Sequence, residues 1–116
     1  MPITVDKKYE VRDNPDVFLS MTVGEGQFGR SDIFLDSKKL IRTSGSIKDF
    51  LIGKGKDVRG KELLIRTLGV DVNAQSNRMA MTYKMKGGQS NLDFESTGKV
   101  ANNGGTLLFE TTIALV

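Results

Sequence analysis

Residues 78–86 read Arg78-Met79-Ala80-Met81-Thr82-Tyr83-Lys84-Met85-Lys86. Met79, Met81, Tyr83 and Met85 alternate with Ala80, Thr82, Lys84 and Lys86, so the period is two and one face is apolar. This predicts a half-buried strand. Methionine is not a favoured strand residue, so the pattern carries the assignment and propensity does not. The Met79/Met81/Met85 stripe is expected to be core, although methionines also make adaptable binding surfaces.

The same period runs through both ends of the chain. At the C-terminal end Leu107, Phe109, Thr111, Ile113 and Leu115 share one face, and Leu108, Ala114 and Val116 make the other partly apolar. That pattern predicts an interior strand, or one covered by a partner. The turn before it is Asn102-Asn103-Gly104-Gly105, whose residue types tolerate positive φ. The strand before that turn is placed at residues 92–100, with Leu92, Phe94 and Val100 inward. Near the start, Ile3, Val5, Tyr9 and Val11 alternate with polar residues. The turn Asp13-Asn14-Pro15-Asp16 follows, then Val17, Leu19, Met21 and Val23. These two segments suggest an antiparallel pair. Residues 33–35 and 40–42 flank Asp36-Ser37-Lys38-Lys39, a hairpin signal.

Two segments resist the period. In residues 63–72, Leu63 and Ile65 share a face, but Val70 and Val72 fall on the other. A bulge at Leu68-Gly69 would restore the register, and a strand buried on both sides is the alternative. In residues 45–52, Ser46 and Asp49 have the spacing of a capped helical turn. Only about two turns fit before Gly53, so a strand or loop is expected.

The sum is about eight short strands with no strand–helix alternation. The fold class is all-β: an antiparallel β-sandwich, jelly-roll or Ig-like, with a small β-barrel as the alternative. With 116 residues the chain is one domain, residues 1–116. No stretch approaches the length of a membrane span, and the N-terminal residues lack a signal-peptide pattern. A cytoplasmic location is expected, with export by a leaderless route or a trimmed leader as alternatives.

The chain has no histidine and no cysteine. This removes Ser-His-Asp and Cys-His catalysis, the usual zinc sites, cysteine-held iron–sulfur clusters and disulfides. Catalysis and cofactors are therefore not expected. Asp93 and Glu95, two apart, are the best carboxylate pair, and a solvated strand face explains them. Asp71-Val72-Asn73 with Asn77, and Asp13-Asn14-Pro15-Asp16, are oxygen-rich enough for Ca²⁺ but are also ordinary turn sequences.

Two glycine loops resemble phosphate binders. Gly24-Glu25-Gly26-Gln27-Phe28-Gly29 fits G-x-G-x-x-G, but no helix pattern follows it. Gly55-Lys56-Asp57-Val58-Arg59-Gly60-Lys61-Glu62 has Glu62 where a P-loop needs a Mg²⁺-binding hydroxyl. Both are expected to be turns between strands.

Charge gives a final clue. Net charge is +3, and residues 38–66 hold nine of the 17 basic residues but three of the 14 acidic ones. Lys54, Lys56, Arg59 and Lys61 in the loop 53–62 are candidates for contact with an acidic partner. Nucleic-acid binding is not expected, because such patches usually come with exposed aromatics and only Phe50 lies near. Phe18 and Phe34 fall opposite the apolar faces of their own strands, so they are the candidate contact aromatics. The expected function is a non-catalytic binding or assembly module acting through protein contacts, as a homo-oligomer or a subunit of a larger assembly. Strand addition at an unshielded C-terminal strand is one route. A small-ligand or carbohydrate-binding β-domain is the alternative, with little support from eight aromatics and no tryptophan.

Overall fold

The computed structural model describes residues 2–102 and 104–116. In chain order its strands are β1 (Ile3–Tyr9), β2 (Asp16–Val23), β3 (Phe28–Leu35), β4 (Lys38–Ser44) and β5 (Ile47–Lys54). A single helical turn, α1 (Gly55–Val58), precedes β6 (Glu62–Val70), β7 (Arg78–Lys86), β8 (Leu92–Lys99) and β9 (Thr106–Leu115). They form a five-stranded sheet, β1-β9-β6-β3-β4, and a four-stranded sheet, β5-β2-β7-β8. The sheets face each other as an open β-sandwich with free edges, so the barrel alternative is ruled out.

The alternations read from the sequence decide which side chains meet in the middle. Met79, Met81, Tyr83 and Met85 are buried, so the stripe is core. Val17, Leu19 and Met21 lie on the neighbouring strand of that sheet. Opposite them stand Leu63, Ile65, Phe109, Ile113 and Leu115 of the five-stranded sheet. Tyr83 stacks on Phe94 with ring centroids 4.9 Å apart. The core also holds hydroxyls: Ser31 and Thr67 pair at 2.7 Å, fully buried. Burial pushes the Tyr83 phenol above its ordinary value of 10, while the neighbouring Thr111 and Thr67 hydroxyls pull the other way.

Several expectations need correction. β1 does not pair with β2. It pairs in parallel with β9, Ile3 opposite Phe109 through Tyr9 opposite Leu115. β2 instead lies between β5 and β7. Local alternation marks strands but not their neighbours, and the Asp13–Asp16 turn hands the chain across to the other sheet. The C-terminal strand is therefore interior, with β1 on one side and β6 on the other, and offers no edge.

There is no bulge at Leu68-Gly69, because β6 pairs without a register shift with both β3 and β9. Leu63, Ile65, Thr67 and Gly69 point inward, and Leu64, Leu68 and Val70 outward. Gly69 keeps the inward place because a Cβ there would stand 2.6 Å from the Met79 sulfur. The real irregularity is in residues 45–52, where β5 is a strand whose pairing with β2 shifts register. Asp49 sits there at φ 51°, and its N–H donates to the Ser20 hydroxyl at 2.9 Å. Ser46 caps no helix; its hydroxyl accepts the Val23 N–H at 3.1 Å. The hairpin at residues 36–39 is confirmed, with Asp36 and Ser37 both at positive φ as a two-residue turn requires. Of the turn at residues 102–105, Asn103 lies outside the described residues. Its flanks form a turn, with Gly104 at φ 80° and the Gly105 N–H donating to the Asn102 carbonyl.

Both glycine loops are turns. At Gly24–Gly29 the chain crosses between sheets, with Glu25 and Gly26 at positive φ and β3 following directly. In the second loop, Gly55 is required by contact: a Cβ would fall 1.5 Å from the Arg12 carbonyl oxygen. The main chains there are also tied, Gly55 N–H to the Pro15 carbonyl and Lys56 N–H to that of Asp13, each at 3.0 Å. Gly55→Ala is predicted to destabilise the fold by about 3 kcal/mol, because backbone must move to admit the methyl. A urea titration should show a lower midpoint with an unchanged m-value.

Candidate interaction surface

The two candidate aromatics lie far apart in role. Phe18 is on the outer face of the four-stranded sheet, opposite Leu51 and Lys86. Phe34 is on the outer face of the five-stranded sheet, opposite Leu64, with the Lys39 ammonium 5.8 Å from its ring centre. Both are half-buried by their neighbours, and they do not form one patch. Each borders a shallow groove, Phe34 with Leu64, Arg66, Asp36, Ser37 and Glu62, and Phe18 with Asp49 and Lys86.

The basic loop is brought together around α1, and all four of its cations are exposed. They are not equivalent. Arg59 donates to the Asp13 carboxylate and to the Val11 carbonyl, so it fastens the loop to the connection between β1 and β2. Lys54 lies opposite Asp16 across the β2–β5 pair. Among the described residues, Lys54, Lys56 and Lys61 form no salt bridge. Asp57 and Glu62 are interspersed with them, so the surface is mixed in sign.

The oxygen-rich loop is a structural knot. Its organiser is Gln27, which sequence patterns did not mark. The Gln27 amide donates to the Ser76 and Arg78 carbonyls, at 2.8 and 3.2 Å, and accepts the N–H groups of Val72 and Asn73. Asp71 accepts the Asn73 N–H, and Asn73 accepts the Gln75 N–H, as Asx turns do. Among the described residues no three carboxylates converge. Asp93 and Glu95 stand exposed on the outer face of β8, opposite Lys84 and Thr82.

The more exposed large apolar side chains are Phe28 (45% exposed), Leu68 (38%), Leu51 (51%), Val72 (63%) and Val116 (46%), none of which the sequence marked as a contact residue. Phe28 lies opposite Val70 on β3 and β6, and Leu68 opposite Leu108 on β6 and β9. Phe28, Val70, Leu68 and Leu108 make an apolar cluster at one end of the outer face of the five-stranded sheet, whereas Leu51 lies on the four-stranded sheet, opposite Phe18. Phe34 and Leu64 make a second at the other end. Phe28 was readable in principle, since Phe28, Arg30, Asp32 and Phe34 follow one period.

Between the two apolar zones runs a row of charge. Glu110, Arg66, Asp32 and Arg42 stand side by side on β9, β6, β3 and β4. Arg42 meets Asp32 at 2.7 Å, Lys39 meets Asp32 at 3.4 Å and Arg66 meets Glu110 at 3.8 Å. Hydrogen bonding from Arg42, helped by Lys39, holds the Asp32 carboxyl below its ordinary value of 3.8. These pairs are largely open to water, so each contributes little to stability alone.

Among the described residues no helix is long and apolar enough to cross a membrane. Comparison with protein-family profiles, with curated proteins and with solved structures finds no significant match.

A carboxyl with a lowered folded-state pKa adds stability above its unfolded value and loses it as pH falls through the folded one. Asp32→Asn is therefore predicted to be slightly less stable than the parent at pH 7. The gap should close below about pH 4, as the parent's own carboxyl becomes protonated. Thermal unfolding of both proteins from pH 7 to pH 2.5 checks this. A gap that persists undiminished at the acid end would refute the assignment.

Proposed function

We propose that this protein is a non-catalytic assembly module that works through protein contacts on its sheet faces, as a homo-oligomer or a subunit of a larger assembly. The observation that carries this reading is the cluster of Phe28, Leu68, Val70 and Leu108. It lies on the outer side of a sheet whose inner side already forms the core. Contiguous exposed apolar surface of this kind marks contact sites more often than chance.

The edges point away from strand addition and so towards faces. β4 carries Lys38, Lys39 and Arg42, and its pairing with β3 has a register shift. β5 carries Lys48 and the irregular Asp49, while β1 and β8 carry Asp6, Lys7, Lys8, Asp93 and Glu95. Charges and bulges are the usual means of blunting an edge. The exposed lysines around α1 would serve an acidic partner in a larger assembly. The carbohydrate alternative has less support: among the described residues the grooves at Phe18 and Phe34 have one aromatic each.

Phe28→Glu places a charge in the apolar cluster at an already exposed position. The variant is predicted to weaken self-association at least about tenfold. Its own unfolding free energy should move by no more than about 0.5 kcal/mol. Light scattering across a concentration series, with urea unfolding alongside, reads both. A parent protein that stays monomeric throughout and retains no protein partner would sink the reading.

A further inference from the structure

The inference rests on the assembly reading and names its partner and geometry. On the outer face of the five-stranded sheet the side chains form rows running across the strands. The middle row, Glu110–Arg66–Asp32–Arg42, alternates in sign over four adjacent strands. Reversed end for end, an alternating row of four becomes its own complement. A twofold axis parallel to the strands, passing between β6 and β3, performs that reversal on a second copy.

Under this rotation Arg66 of one copy lies over Asp32 of the other, and Glu110 lies over Arg42. Each residue keeps its height along the strand, so the apolar rows also meet. Leu64 falls over Phe34, and Val70 over Phe28, because these pairs are cross-strand neighbours in each copy. Thus β6 of one copy runs over β3 of the other along its length. Arg30 falls over Leu68, where its aliphatic stem covers the leucine. At one end Glu62 approaches Asp36, acid on acid. Both carboxylates are exposed at the rim, where water and salt screen the repulsion.

Other arrangements fail on charge. A twofold axis across the strands would reverse heights and set row members of like sign over themselves, Glu110 over Glu110. An unrelated partner would need its own matching row, whereas a second copy has it already. Acidic and basic residues balance over these rows, so the net charge of +3 does not drive the faces apart.

We propose that the outer face of the five-stranded sheet docks on the same face of a second copy, about a twofold axis parallel to the strands, giving a four-layered assembly. The overlap of four strands about 4.8 Å apart, eight residues long at about 3.3 Å each, covers about 500 Å² per copy. Doubled to about 1,000 Å², this is at the low end for a specific complex, so a dimer in exchange with monomer is expected.

The test is a charge exchange between copies, read by sedimentation equilibrium. Asp32→Arg sets base over base at two symmetric places, and Arg66→Glu sets acid over acid. Each variant alone is expected to dimerise at least about tenfold more weakly than the parent. An equimolar mixture is expected to regain parental affinity as a heterodimer, because the introduced arginine then faces the introduced glutamate. Far-UV circular dichroism and thermal melts of each variant confirm that it is folded. Folded variants that dimerise like the parent, or a mixture that stays monomeric, overturn the proposed face and axis. In the first case self-association through another surface still stands. A parent protein that is monomeric at every concentration overturns self-assembly itself.

Discussion

The structure depends on one pairing above all, the insertion of β9 between β1 and β6. β9 pairs with β6 over nine residues and with β1 over seven. It supplies Phe109, Ile113 and Leu115 to the core. Without it, β1 has no neighbour in its sheet, and β6 loses one of its two. The main-chain bonds continue past the strand: Val11 N–H donates to the Val116 carbonyl, and Gly60 N–H to that of Leu115. The last residues of the chain thus hold its beginning, and the loop after α1, in place.

Inside, the sandwich is not purely apolar. Ser31 and Thr67 satisfy each other, while the hydroxyls of Tyr83 and Thr111 are sealed in without a well-formed hydrogen bond among the described residues. Such a group costs about 1–3 kcal/mol. The cost is offset by the large apolar surface around it, and the hydroxyls bring selectivity. A slip of one residue in β6 or β3 would turn Thr67 or Ser31 outward and bring Leu68 or Asp32 into the core. The in-register arrangement is the one that buries small hydroxyls against Tyr83 and leaves the charged row outside.

Much of the fold was legible because alternation is local. The stripe from Met79 to Met85, the face from Leu107 to Leu115 and the Asp36-Ser37 hairpin each lie within one stretch of chain. What was not legible depends on distant contacts. The parallel β1–β9 pair is a choice of neighbour that period two does not express. Gly69 reads as a defect until Met79 and Phe109 are seen filling its place. Gln27 reads as a loop residue until the carbonyls of Ser76 and Arg78 arrive from another part of the chain. The contact surface was half legible. Phe34 was found, and Arg66 was seen only as one member of a basic stretch. The row it belongs to needs four strands laid side by side, in an order that no single segment reveals.

The place of β9 bears on how the protein is made. Residues 3–9 are synthesised long before residues 109–115, their sheet partner among the described residues. At roughly 5–20 residues per second, β1 waits about 5–20 s for it. From the time it is made until β9 follows, β6 offers one side of its backbone, and its inward-facing Leu63 and Ile65, to any passing strand. The finished fold hides that edge only when the late-made β9 is laid along it.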